Sequence, residues 1–461
     1  MKIKHNLSKL IMICAGIPAM IISSSCNKYV SLDAPVNKID ASAAYTTDNT
    51  ATASVLALYN YGIYSSFGSM FIDLNVFAGV SSDEMHYTGT TYPEITDIEN
   101  NAIAIGSAQN ANMWGYAYSE LLVANDAITG ITNSTTLTAS VKSQLLGEAK
   151  FFRAFINFYL VNYYGGVPLT TSDPLVSAYL PRSSAAQVYS SIISDLKDAQ
   201  SLLPVTYVGT LKARVNQYAA TALLARVYLY QKDYADAEAM ATAVINSGTY
   251  TLAATNSVFQ NTSTETILQF ATYYGYSTLA TSYRTATATA TVAPPLYTLT
   301  NNLVNSFEPG DNRKTNWVDS TVYTTKFYRI NKYKLYTATA GNEYNVVLRL
   351  AEQYLIRAEA RAQQNNLSGA ATDINLIRDR AGLGATTATT QAGLIAAVAQ
   401  ERKVELFGEF GHRWFDLLRT GQANTVLSPL KTNWNATRSV LFPIPDAQIS
   451  LNSALTQNPG Y

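Results

Sequence analysis

The sequence predicts helical segments on both sides of an irregular, loop-rich middle, and three observations carry that prediction. Apolar residues recur at three- and four-residue spacing in the early segments, which places them on one helical face. Two later segments repeat a pair of alanines at the same separation, as antiparallel helical hairpins require. Between those two segments, residues 249–344 are rich in Thr, Tyr, Asn and Gly and contain the run Thr285-Ala286-Thr287-Ala288-Thr289-Ala290-Thr291.

Composition narrows the function. The 461 residues carry 32 Lys+Arg against 32 Asp+Glu, a formal net charge of zero. That balance removes the surplus cation a nucleic-acid binder needs. Hydrophobic residues are 48% and charged residues 14%, a globular composition with a thin allotment of charge. Tyrosine stands out, at 32 against 15 Phe and 4 Trp. A tyrosine ring offers area and its hydroxyl a hydrogen bond, which suits a wet binding surface and excludes no enzyme.

The chain opens with Lys2, Lys4 and Lys9, an apolar run over Leu10–Ile22, and Ser23-Ser24-Ser25 before Cys26. This is the layout of a secretory signal over residues 1–25. The apolar run falls short of the roughly 20 residues a membrane span needs. Cys14 and Cys26 are the chain's two cysteines, so the body after residue 26 has no disulfide framework. A cysteine directly after small residues points to a bacterial lipoprotein in which Cys26 carries the acyl chains; a plain cleaved signal with an incidental cysteine is the competing reading.

Residues 27–44, with Pro35, read as an extended leader, and helical patterning begins near Thr52. Trp114, Tyr118, Leu121, Leu122 and Asn125 share a helical face. Gln144–Tyr163 forms a second strong helix, stopped by Gly165-Gly166 and Pro168. In the first hairpin Ala225 and Tyr228 precede Tyr234 and Ala237; in the second Ala358 and Arg361 precede Leu367 and Ala370. Both read as tetratricopeptide-like, with an ordinary alanine-rich hairpin as the alternative. Residues 249–344 predict long loops with a few short strands, the kind of segment that carries function on a rigid scaffold. After a return to helix, Pro443, Pro445 and Pro459 mark irregular coil.

Four landmarks resemble the SusD/RagB family of Bacteroidetes outer-membrane lipoproteins, over nearly the whole chain after the signal. They are the opening Cys26-Asn27-Lys28-Tyr29-Val30-Ser31-Leu32 with Pro35, and Glu148-Ala149-Lys150-Phe151-Phe152-Arg153-Ala154 running into Tyr164-Gly165-Gly166-Val167-Pro168-Leu169. The third is Glu401-Arg402-Lys403-Val404-Glu405-Leu406 leading to Gly411-His412-Arg413-Trp414-Phe415-Asp416-Leu417. The fourth is Phe442-Pro443-Ile444-Pro445 with the close Gln457-Asn458-Pro459-Gly460-Tyr461. The resemblance implies a mostly α fold in which tetratricopeptide-like hairpins pack against an irregular, loop-rich ligand-binding part with few short strands. It implies a domain over 26–461, with an N-terminal part 26–205 and a C-terminal part 206–461 that carries the loop-rich insertion 249–344. It further implies a lipid-anchored protein exposed on the outer membrane, which binds a nutrient and delivers it to a SusC-like TonB-dependent transporter. An oligosaccharide is the expected ligand and a peptide the alternative; the family's motifs are mainly structural and do not identify it.

Catalytic chemistry finds little support in the residues. Glu401, Glu405, Glu409 and Arg413 step by four along one helical face unless Gly408 and Gly411 break it. Arg402, Lys403, Arg413 and Arg419 supply matching cations, which predicts a structural ion network with depressed carboxyl pKa values; the same reading covers Glu148, Lys150 and Arg153. Beyond the signal the histidines are His86, in an expected loop, and His412, inside the structural motif. No Gly-x-Ser-x-Gly elbow, zinc motif or phosphate-binding glycine loop occurs; Gly382 and Gly384 are expected to end a helix after Arg380. We therefore expect no catalytic residues, no metal and no cofactor, with a surface glycosidase built on Asp/Glu pairs as the rival.

Sugars present flat C–H faces ringed by hydroxyls, so a binder needs aromatic platforms beside amide, carboxylate or guanidinium groups. Tyr87 and Tyr92 follow Asp83-Glu84; Tyr273, Tyr274, Tyr276 and Tyr283 cluster beside Arg284; Trp317 closes the polar run Asp311–Asn316. These rings, with Asp83, are the candidate ligand-binding residues, the competing reading being that they fill local cores under long loops. Trp114 and Trp414 read as core, and Trp434 carries no reading.

Overall fold

Start and stop signals in the sequence become element boundaries in a computed structural model, which describes residues 43–61, 70–272, 275–284, 294–323, 325–335 and 341–461. The signal 1–25, Cys26, nearly all of the leader, Tyr273, Tyr274 and the Thr285–Thr291 run lie outside the described residues. Helix α1 (Asp48–Tyr61) covers the expected start near Thr52 and is followed by α2 (Met70–Ser81), strand β1 (Met85–Tyr87) and α3 (Pro93–Glu99). Helix α4 (Ala108–Asn133) begins where the Ser107 side chain accepts from the Asn110 N–H. Its predicted face is the core face: Trp114 is buried and its ring lies 4.8 Å from those of Tyr118 and Tyr164.

Helix α5 (Ala139–Tyr164) is the apolar centre. Its Phe151, Phe152, Phe155 and Tyr159 are all buried, and Phe152 meets Tyr59 edge-on at 4.6 Å. Removing such a ring costs on the order of 3–5 kcal/mol. The helix stops at Gly165, where φ is +74°. Gly166 is small for a different reason: a Cβ there would lie 2.4 Å from the Ser183 carbonyl oxygen, beside the bridge Val167↔Ser183. After the short α6 (Pro174–Ser177), α7 (Ala185–Leu202) opens on a Ser184–Gln187 capping box.

The two hairpins form as the alanine spacing predicts. The first is α8 (Gln217–Tyr230) with α9 (Tyr234–Asn246); the second is α13 (Leu350–Gln363) with α14 (Leu367–Arg380). Ala225, Ala237, Ala358 and Ala370 are fully buried where the helices meet. Both hairpins turn the same way: Lys232 and Asn365 take φ of 60° and 63°, and the next residue, Asp233 or Asn366, caps the second helix. The neighbour relations run α4–α5–α7–α8–α9–α13–α14, with α15 (Gln391–Glu405) against α13 and α14. Each helix thus buries its stripe against the previous one, as in a helical-repeat stack.

The middle of the chain supplies the short strands. β3 (Tyr297–Leu299), β4 (Val318–Val322) and β5 (Lys326–Ile330) join β1 in an antiparallel sheet of order β1-β3-β5-β4, with Met85 opposite Leu299 and Ser320 opposite Tyr328. β2 (Thr266–Phe270) pairs with β6 (Asn345–Arg349), which runs directly into α13. Helices α10 (Thr278–Tyr283), α11 (Asn301–Val304) and α12 (Asn312–Trp317) fill the connections; α16 (His412–Arg419), α17 (Ala423–Leu427) and α18 (Asp446–Leu451) close the chain. As expected, α14 ends at Arg380, with Gly382 at φ +76°. No described helix is long and apolar enough to cross a membrane.

Two expectations need correction. The four-residue ladder does not continue past Glu405, because Gly408, Phe410 and Gly411 all take positive φ and turn the chain before α16. His86 lies in strand β1 instead of a loop.

Candidate functional site

Helix α15 delivers its acidic residues to a buried ion cluster. Arg313 reaches Glu401 at 2.7 Å and Asp311 at 2.9 Å. Arg349, at the end of β6, reaches Glu265 at 2.8 Å and Glu409 at 2.7 Å. Glu405 accepts from Arg313, Arg349 and Arg380 together. Burial alone would raise the Glu405 carboxyl, but Arg380, Arg349 and Arg313 overcome it and hold it far below the carboxylate range. Glu409 is likewise lowered against burial by Arg349 and Lys332. Their cationic neighbours favour the charged form of both Glu405 and Glu409.

The cations differ from those expected. Arg402 pairs with Asp416 at 2.7 Å, Arg419 with Glu359 at 2.5 Å, and Lys403 and Arg413 with Asp83 at 3.2 and 2.7 Å. At the other motif, Arg153 holds Asp195 at 2.7 Å and Arg214 holds Glu148 at 2.7 Å. There the expected depression fails: burial outweighs Arg214 and leaves the Glu148 carboxyl raised. His412 is buried and pushed well below its ordinary pKa by burial and by Arg226 and Arg402. The ring of His86 is exposed, holds Glu99 at 2.6 Å and is raised by that hydrogen bond.

The candidate ligand residues divide by depth. Asp83 is buried; burial would raise its carboxyl, but Arg413 and Lys403 hold it below its ordinary value. Its role is to tie β1 to α16, and it offers nothing to solvent. Trp317 is 1% exposed. Its Nε1 donates to the Thr255 carbonyl at 2.6 Å, and its ring is flanked by Lys332 at 4.8 Å and Arg380 at 5.6 Å. The protein's own cations occupy the ring, so the open platform expected of Trp317 is not there. Tyr283 and Tyr87 are also buried, Tyr87 at 5.5 Å from the ring of Tyr297. Tyr92 is 49% exposed, and its backbone N–H donates to the Tyr87 hydroxyl at 3.3 Å. Tyr276 and Arg284 are half-buried.

Hydrogen bonds tie these positions to neighbouring segments. The Thr88 N–H donates to the Leu296 carbonyl at 2.9 Å, joining the segment that carries Tyr87 and Tyr92 to β3. At the end of α10, the Arg284 guanidinium donates to the Asn331 side chain, and the Asn331 N–H donates to the Trp317 carbonyl at 2.8 Å. The Glu343 N–H donates to the Gly275 carbonyl at 2.9 Å, beside Tyr276. A cavity of about 100 Å³ is lined in part by Thr255, Gln260, Trp317, Lys334 and Glu343. It is too small to enclose a sugar chain, since ligand pockets run to roughly 300–1,000 Å³. Sequence reasoning missed Tyr297, Asn331 and Glu343. Tyr297 had a signal, a tyrosine in a strand pairing with the β1 segment; for the two polar residues there was none. Among the described residues no cluster of metal-ligating side chains occurs.

Comparison with known proteins adds a second line. A model of the SusD family matches residues 261–461, and a second model, described as starch-binding and associating with the outer membrane, matches residues 49–229. A SusD-like protein of Formosa agariphila is 25% identical over 429 residues, covering 80% of this chain and 83% of that one. A SusD superfamily protein from Bacteroides vulgatus superposes with a TM-score of 0.79 at 20% identity, covering 90% of this chain and 100% of that one. A laminarin-binding SusD-like protein superposes with a TM-score of 0.76 at 25% identity, again covering 90% and 100%. The helical body with its few short strands is the architecture these structures share.

Proposed function

Because the chain belongs to the SusD/RagB family, we propose that it is a surface lipoprotein that captures a glycan on the rim around Tyr92 and passes it to a TonB-dependent transporter. The observation that carries the glycan reading is the likeness to a laminarin-binding SusD-like protein over nine-tenths of this chain. The rim agrees with it chemically. Tyr92 offers an exposed ring, and Tyr276 and Arg284 are half-buried; such rings and guanidinium groups supply the apolar face and hydrogen-bonding edge that a sugar ring matches. The reading is one of binding without turnover: Asp83, Glu405 and Glu409 are held charged by neighbouring cations and are buried. An oligosaccharide that stacks on a rim is released as readily as it is captured, which suits handover to a transporter.

Calorimetry with laminarin-derived oligosaccharides tests this reading. The wild-type chain should bind, and Tyr92→Ala should weaken binding about three- to tenfold, or roughly 0.5–1.5 kcal/mol. Hydrolysis of the oligosaccharide, or binding indifferent to Tyr92, would overturn it.

A further inference from the structure

The exposed Tyr92 is the N-cap residue of α3, and its side chain makes no capping hydrogen bond. The helix has only seven residues, with Ile95 and Ile98 buried, and a helix that short does not persist on its own. Both of its ends are tied to one residue of β1. The Tyr87 N–H donates to Glu99 Oε2 at 3.1 Å, at the last residue of α3. At the other end of the same side chain, the Tyr87 hydroxyl accepts from the Tyr92 N–H at 3.3 Å. Tyr87 is 4% exposed, so its ring serves as a strut and offers no platform to solvent. The turn between the two tyrosines closes tightly on that hydroxyl. A Cβ at Gly89 would lie 2.4 Å from the Tyr87 oxygen, so the turn can adopt this course only because position 89 has no side chain.

A second contact makes the strut a clasp. Glu99 Oε1 meets Nδ1 of His86 at 2.6 Å, so one carboxylate holds two successive residues of β1. The charged groups that bear on the His86 ring are Glu99 from α3 and Lys431 from the segment after α17, whose Nζ donates to the Val80 carbonyl at 2.7 Å. Asp73 of α2 acts on Tyr297 instead, and β3 sets the neutral Thr298 opposite His86. The hydrogen bond from Glu99 raises the His86 pKa above its ordinary 6.5, against burial and Lys431. The ring is therefore charged below about pH 6.5, and the charged contact is lost as pH rises through the higher folded value.

We propose that Tyr87, Glu99 and His86 are positioning residues that fix the Tyr92 ring for a sugar, an inference that rests on the glycan reading above. Tyr87 acts through its hydroxyl on the Tyr92 backbone, and His86 acts through Glu99 on the far end of α3. A ring held still before the ligand arrives loses less freedom on binding, so a firm clasp strengthens capture. When His86 gives up its proton the clasp slackens, and capture of even an uncharged oligosaccharide becomes pH-dependent.

The test is calorimetry of the full-length protein with neutral laminarin-derived oligosaccharides at about pH 5.5 and pH 8. Wild-type affinity should fall about two- to fivefold between them, the range that a part-exposed ion pair allows, whereas His86→Gln should bind nearly equally at both. Lys431 also titrates near this window, its pKa pushed down to about 8 by burial, so the difference between wild type and His86→Gln is the quantity that decides. Tyr87→Phe, which removes only the hydroxyl, should weaken binding about two- to tenfold with Tm little changed. If that variant melts early, the His86→Gln profile alone decides. A pH profile shared by wild type and His86→Gln, or full affinity in a stable Tyr87→Phe, would overturn the clasp while leaving the glycan reading intact. No binding by the wild type at either pH would overturn that reading, and the inference with it.

Discussion

At the scale of single residues, the buried charges decide more than the exposed rings. Glu405 accepts from three arginines, so Glu405→Gln leaves buried cations short of a counter-charge. We expect it to lose roughly 3–5 kcal/mol, read as a lower urea midpoint. Glu120 is the opposite case. It is buried on α4, neither carboxylate oxygen has a hydrogen-bond partner among the described residues, and burial pushes its pKa up to about 8. The folded state then holds a proton that the unfolded chain has released between about pH 4.5 and 8, so stability falls as pH rises through that window. The loss is on the order of 3–5 kcal/mol. Urea midpoints of Glu120→Gln at pH 5 and pH 8 should differ less than those of the wild type; an unchanged pH dependence would show the carboxyl is not the source. None of this was legible beforehand, because a carboxylate's partners, or lack of them, are set by chain segments far away. Glu405 is bound by Arg313 and Arg349, which lie 92 and 56 residues earlier.

At the scale of elements, the sequence was read most successfully where small residues or glycines mark a geometric necessity. The alanines at 225, 237, 358 and 370 are fully buried at helix contacts, and Gly165 stops α5 as its position implied. The same logic predicts that Gly166→Ala is destabilising by roughly 1–3 kcal/mol, since the new methyl would press on the Ser183 backbone. A thermal melt checks this, and Gly209→Ala, where a Cβ meets nothing within 4 Å, separates steric from backbone effects. Loops were read less well. Trp317 sits among polar residues in the sequence, which suggested a solvent-facing ring. The helix α12 turns it inward onto Lys332 and Arg380. A string of neighbours shows which chemistry is available but not which side of a short helix faces the interior.

At the scale of the whole molecule, two regions of different character share one body. The helical stack was legible from periodicity, and the family from the four landmarks. The proposed ligand rim was legible only in part. Tyr92, Tyr276 and Arg284 reach at least partly to solvent, while Asp83, Tyr87, Tyr283 and Trp317 hold the interior together. The proposed anchor has its own test: Cys26→Ser should move the protein from the outer-membrane fraction to the soluble fraction of its host, and a protein that stays with the membrane would refute lipidation at that position.

The ion cluster around Glu405 lies in the interior, whereas Tyr92 is exposed and Arg284 is half-buried at the end of α10. On the proposed reading, cohesion and selectivity are housed in different parts of the chain. A lineage carrying this architecture can rewrite its outer rings to suit a new polysaccharide while the deep arginines and glutamates stay untouched. Drift among relatives should accordingly concentrate on the rim and spare the interior.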